Sequence, residues 1–241
     1  HFLPYQIPAL TLVCHRENTR IAKIGDVSFA KNAKHLARAF KDTPDIDIIG
    51  TSPDFSSWKI SDAEDLTSVF ENSKISTIDL SNSDFKNATN TTNMFKNSKV
   101  STLKLDKAKF EKVTDTSSMF AGTTSLSSVD LTHTTFRDTT NTTSMFEGTS
   151  ISDINLKNAT FENVTDFSNM FNNTKNTTNI DLSAIKFTSA ENLSNMFKDS
   201  YAREIKLSNQ LGGSRITNLE SMFEGAYYLQ KIDLGSMTTG R

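Results

Sequence analysis

The chain carries four histidines, His1, His15, His35 and His133, and one cysteine, Cys14. A Cys-His or Ser-His nucleophile needs its base within hydrogen-bond reach. Residues scattered this widely offer no such pair, so catalysis is not expected and no cofactor is implied. A lone cysteine also excludes an internal disulfide and a multi-cysteine zinc site. The recurring Asp65, Asn90, Asp115, Asn141, Asp166, Asn192 and Asn218 resemble a calcium-binding array. Such arrays need clustered carboxylates with glycine at short fixed spacing. Here each carboxylate stands alone among Thr and Ser, so the expected role is to cap backbone amides and no metal is expected. Asn90-Thr-Thr, Asn141-Thr-Thr and Asn192-Leu-Ser have the form of glycosylation acceptors. They fall on the same capping positions in a chain rich in Asn, Ser and Thr, which favours the structural reading.

Two other sets carry recognition chemistry. Ile49, Asp79, Lys104, Asp130, Asn155, Asp181, Lys206 and Asp233 recur at the outward position of a short alternating pattern. If these patterns stack as neighbouring strands about 4.8 Å apart, opposite charges pair and like charges are kept from adjacency. The column is then either a self-compensating solvated surface or a surface that reads a ligand. Tyr201, Tyr227 and Tyr228 form the second set. They either stack on sugars or pack between coils.

The elements that must position these residues are repeats. Phe40, Phe70, Phe95, Phe120, Phe146, Phe171, Phe197 and Phe223 recur, the last seven at spacings of 25 or 26 and the last six each preceded by Met. Eight or nine residues later comes an alternating apolar pair, from Ile78 and Leu80 to Ile232 and Leu234, which reads as a strand with one buried face. Phe85, Phe110, Phe136, Phe161 and Phe187 follow as anchors of the turn leaving the strand. The segment ending in Met-Phe reads as a short helix. Apolar residues fall at i, i+3 and i+4, as in Leu66, Val69 and Phe70. The Asp/Asn column caps its start. Its end is marked by Asp42, Asn72, Asn97, Gly122, Gly148, Asn173, Asp199 and Gly225, types that tolerate left-handed backbone.

One 25-residue unit cannot bury these rings alone, whereas stacking sets each Phe against its equivalents. The expected fold is an α/β repeat solenoid, leucine-rich-repeat-like, of about eight strand, turn and short-helix coils over 33–241. Residues 1–32 do not fit the repeat and are expected to form an N-terminal cap, with LTLVCH and RIAKIGDVSF as a hairpin. No comparable cap is visible at the other end, so the natural protein is expected to continue. An elongated monomer is expected.

With 26 basic and 28 acidic residues and no long run of either sign, charge leaves no footprint for nucleic acid or an anionic membrane. No window approaches the roughly 18 apolar residues of a membrane span. The opening HFLPYQIPALTLVC lacks a basic start and a cleavage site and contains Pro4 and Pro8, so export and anchoring signals are expected outside this segment.

The run VTDTSSMFAGTTSLSSVDLTHTTF, Val113 to Phe136, resembles the repeat of the BspA-like leucine-rich-repeat surface proteins of bacteria. These include a family of unknown function first described in mycoplasmas and common in lactic-acid bacteria. The resemblance covers about residues 33 to 235. It implies a right-handed solenoid, a secreted or surface location anchored to wall or lipid, and attachment to host or matrix glycoproteins, that is, an adhesin. The alternative is a passive stalk. The first copy departs from the pattern at His35 and Ala39, as suits a terminal coil, and SNQLGGSRI replaces the turn Phe in the copy after Leu207.

Overall fold

A computed structural model describes residues 34–43, 62–81, 83–208, 211 and 215–235. Seven three-residue strands lie where the alternating pairs placed them: β1 (Thr77–Asp79), β2 (Thr102–Lys104), β3 (Ser128–Asp130), β4 (Asp153–Asn155), β5 (Asn179–Asp181), β6 (Glu204–Lys206) and β7 (Lys231–Asp233). They pair in parallel with strands of adjacent coils, as β1–β2, β3–β4 and β5–β6–β7. Ile78 faces Leu103, Val129 faces Ile154, and Ile205 lies between Ile180 and Ile232. The described chain is therefore a parallel β-solenoid of about six turns between β1 and β7.

Two further columns tie the coils together through isolated parallel bridges. One runs through Asp84, Lys109, Thr135 and Thr160, and the other through the Asp/Asn column from His35 and Asp65 to Asn218.

The expected helices are absent: none of the described residues is α-helical. Each Met-Phe segment is instead a run of tandem turns. Val69, Glu71 and Ser73 amides donate back to the carbonyls of Leu66, Ser68 and Phe70. The intervening amides of Leu66, Ser68, Phe70 and Asn72 donate sideways to Asn90, Thr92, Met94 and Lys96 of the next coil. A helix would return every amide to its own chain; here half of them join neighbouring coils. The alternation requires left-handed backbone in mid-segment, at Ser68, Asn93, Ser118, Ser144, Asn169, Asn195 and Ser221 (φ between 53° and 58°). The left-handed residues expected at the segment ends are all present, from Asp42 (φ 56°) to Gly225 (φ 70°). The α/β assignment is thus corrected to β. The segment's i, i+3, i+4 spacing survives because tandem turns bury the same face.

Of the eight expected coils, the first is described only over 34–43, where Phe40 stacks on Phe70. The strand position at Ile49 and the hairpin cap over 1–32 lie outside the described residues.

The core consists of ring columns. Phe70, Phe95, Phe120, Phe146, Phe171 and Phe197 are fully buried, and successive rings lie nearly parallel with centroids 5.3 to 5.7 Å apart. Rings in parallel contact are less far apart than this, so each is offset sideways, the arrangement that aromatic quadrupoles favour. Phe85, Phe110, Phe136 and Phe161 form a second stack at 4.6 to 5.3 Å. Burying each ring is worth about 1.5 to 3 kcal/mol. Thr91, Thr116 and Thr142 are fully buried. Their hydroxyls donate to the carbonyls of Asp115, Asn141 and Asp166 one coil on, which removes the penalty of an unpaired buried hydroxyl.

Candidate functional site

The strands set the outward column in register: Asp79 opposite Lys104, Asp130 opposite Asn155, and Lys206 between Asp181 and Asp233. Lys104 Nζ lies 2.8 Å from Asp79 and Lys206 Nζ 3.7 Å from Asp181. The acidic and amide members also end their strands. Asp79, Asp130, Asn155, Asp181 and Asp233 each accept the amide two residues on, from Ser81, Thr132, Lys157, Ser183 and Gly235 at 2.8 to 3.1 Å. Desolvation pushes the Asp79 carboxyl up, but hydrogen bonds from Lys104 and Ser81 and the Lys104 charge outweigh it and hold the group below the usual carboxylate range. Asp181 is likewise lowered against desolvation by Ser183 and Lys206. Among the described residues, every member of this column except the two lysines thus has a local turn to hold.

The Asp/Asn column behaves as caps, though of turns rather than helices. Asp65, Asn90, Asp115, Asn141, Asp166, Asn192 and Asn218 each accept the amide two residues on at 2.8 to 3.1 Å. Asn141 and Asn192 also donate from Nδ2 to the carboxylates of Asp115 and Asp166 at 3.2 Å. Among the described residues no three His, Cys, Asp or Glu side chains gather as metal ligands. His35 and His133 lie in different coils, and His133 Nε2 meets Asn158 Nδ2 at 3.0 Å. His1, His15 and Cys14 lie outside the described residues.

The face deepens near β6. A depression of about 480 Å³ is lined by Ser183, Ala184, Lys186, Lys206, Ser208 and Asp233, among others. Ala184 stands where earlier coils place the larger Lys107, His133 and Asn158, and the following coil is the one without a turn Phe. That break in the pattern was visible in the sequence, but the depression it makes was not.

The tyrosines occupy the arm that leads into a strand. The position four residues past the core Phe is Lys74, Lys99, Thr124, Ser150 and Lys175 in earlier coils and becomes Tyr201 and Tyr227 in the last two. Arms of eight residues separate the core Phe from the middle strand residue of β1, β2, β4 and β6, and arms of nine lead to β3, β5 and β7. The extra residue of the last arm is Tyr228. The Tyr201 and Tyr228 rings meet across coils at 4.7 Å with a 41° tilt. Tyr201, Tyr227 and Tyr228 are 44%, 90% and 51% exposed, so Tyr201 and Tyr228 pack on each other between coils while much of both rings, and nearly all of Tyr227, stays in solvent. Arg203 and Gln230, exposed and downstream of these rings, sit side by side, with the Gln230 amide donating to the Arg203 carbonyl. Sequence reasoning did not single them out.

Leu219, Ile232 and Leu234 are exposed on the last coil. Leu219 and Leu234, with Met222, Phe223 and Leu211, line an apolar depression of about 400 Å³. No helix among the described residues is long and apolar enough to cross a membrane.

No curated protein and no solved structure matches the chain. A family model matches twice in succession, over residues 30–134 and 129–237, each match taking in about four coils of the solenoid. The chain belongs to the family described as Mycoplasma protein of unknown function, DUF285.

Proposed function

We propose that this chain is a non-catalytic adhesin module of a bacterial cell surface that binds host or matrix glycoproteins through the edge of its last coils. The observation that carries this reading is the exposed tyrosine cluster on a rigid stack. Exposed aromatic side chains at neighbouring positions mark recognition surfaces, and these three have no part in the core columns. Repeat stacking supplies the extended scaffold that macromolecular ligands require. The extracellular location, with anchoring by parts of the protein outside this segment, follows from the resemblance to BspA-like leucine-rich-repeat surface proteins. Net charge near zero gives no support to nucleic acid as a partner.

A passive stalk is the second reading, and one observation favours it: all ion pairs among the described residues except Arg137–Asp138 join adjacent coils. Immobilised mucin and fibronectin, titrated with the whole chain, separate the two. Saturable binding to either is expected of the adhesin. A stalk binds neither, and that result would end the adhesin reading.

A further inference from the structure

We infer that Tyr201, Tyr227 and Tyr228 form a saccharide-stacking platform that takes the neutral pyranose rings of a glycan. This rests on the adhesin reading and names the ligand class of its site. Tyrosine replaces Lys, Thr or Ser at this arm position only in the last two of the seven described arms, and the long final arm adds a second ring. Tyr201 and Tyr228 meet at 41° rather than stacking flat, so the pair is angled and leaves much of both rings in solvent. Tyr227, 90% exposed, stands beside them without a packing role.

Exposed ring faces carry negative quadrupole charge. The C–H groups on one face of a pyranose are apolar and slightly positive, and the ring's hydroxyls point to its rim. Such a ligand uses both parts of a tyrosine, the face for C–H contact and the phenol, donor and acceptor at once, for hydroxyls. Exposed Arg203 and Gln230 add donors and an acceptor at the margin of the platform.

Size decides between a sugar and a protein partner. The three exposures amount to just under two tyrosine side chains, about 400 Å². A stable protein interface needs about 800 Å² on each side. The platform is therefore half of what a protein partner requires but enough for one or two sugar rings. Lys74, Lys99 and Lys175 at this position in earlier coils would favour acidic sugars, whereas Tyr201 and Tyr227 put neutral rings there and leave Arg203 at the margin as a nearby donor.

The test uses the whole chain and two probes: neutral oligosaccharides released from mucin and displayed on an array, and the deglycosylated mucin polypeptide. Wild type is expected to bind the oligosaccharides. Tyr227→Ala and Tyr228→Ala are expected to lose at least tenfold in affinity with an unchanged melting temperature, while Tyr228→Phe keeps most of the binding because stacking survives. Tyr227→Ala is the safeguard against misfolding, since its side chain supports nothing. Alanine variants that bind like wild type would overturn the inference, and retained binding to intact mucin would then leave the adhesin reading standing. Tyrosine-dependent binding to the bare polypeptide alone would make this a protein-docking surface and also overturn it. A wild type that binds no oligosaccharide, mucin or fibronectin would bring down both.

Discussion

The coils between 62 and 187 and those between 201 and 235 share the same columns but differ in how they treat them. In the first stretch Phe70, Phe95, Phe120, Phe146 and Phe171 each have a ring on both sides, and the arm position carries small or charged residues. In the second the turn Phe is gone, Phe223 meets only Phe197 among the ring pairs described, at 5.5 Å, and tyrosines crowd the arm. In a repeat protein a regular column reports what stacking needs, since the same requirement recurs in every coil. Departures from the column are where other demands can be met. The comparison therefore locates recognition at the irregular end and stability in the regular middle.

The largest test of this difference is a pair of ring deletions. Phe120→Ala removes a fully buried ring from the middle of its column and should cost about 3 to 5 kcal/mol in urea unfolding. Phe223→Ala, at a partly buried ring, should cost less than about 2 kcal/mol. Equal losses would mean that the last coil is packed as tightly as the others.

A smaller effect is expected from Asp115→Ala, which removes the acceptor for the Ser117 amide and for Asn141 Nδ2. The loss should be about 1 kcal/mol. A chelator should leave the wild-type melting temperature unchanged; a drop would turn the Asp/Asn column into a cation site.

The smallest effect concerns the strand face. Lys104→Glu with Lys206→Glu should stay within about 1 kcal/mol of wild type at pH 7, since such pairs are screened by water. The reversal does set like charges beside Asp79 and Asp181. Asp79 titrates below its ordinary value when folded. Its contribution is therefore complete above the unfolded value of about 3.9 and lost as pH falls through the folded one. The gap between wild type and the double variant should accordingly narrow as unfolding is repeated from pH 5 downwards. A gap that widens would show that another group governs acid stability. Tyrosine-dependent binding should persist in this variant, and its loss would move recognition onto the strand face.

Much of the fold was legible because each column recurs. The Phe spacing gave the coil, the Ile and Leu alternation gave the strands, and Gly, Asn or Asp two residues past each Phe gave the left-handed turns. The helix was misread because Leu66, Val69 and Phe70 bury one face in a helix and in tandem turns alike. The deciding feature lay between them, at Ser68, Asn93, Ser118 and their equivalents, which take left-handed backbone; only the Asn copies advertise it by residue type. At the candidate site, alternation showed which strand residues face out. It did not show that Asp130 and Asn155 hold the turn after their strands, because that depends on where an amide points once the chain has bent. Nor did it show that the tyrosines face solvent, since exposure at an arm is set by the neighbouring coil.

The arm before each strand closes the same circuit with eight or nine residues while the ring and strand columns on either side stay aligned. Described in genetic terms, it is a slack link. A one-codon insertion there is absorbed within its own coil, as the nine-residue arms before β3, β5 and β7 show. New residues can therefore be tried out at the arms without disturbing the rest of the stack, and Tyr228 sits at such a place.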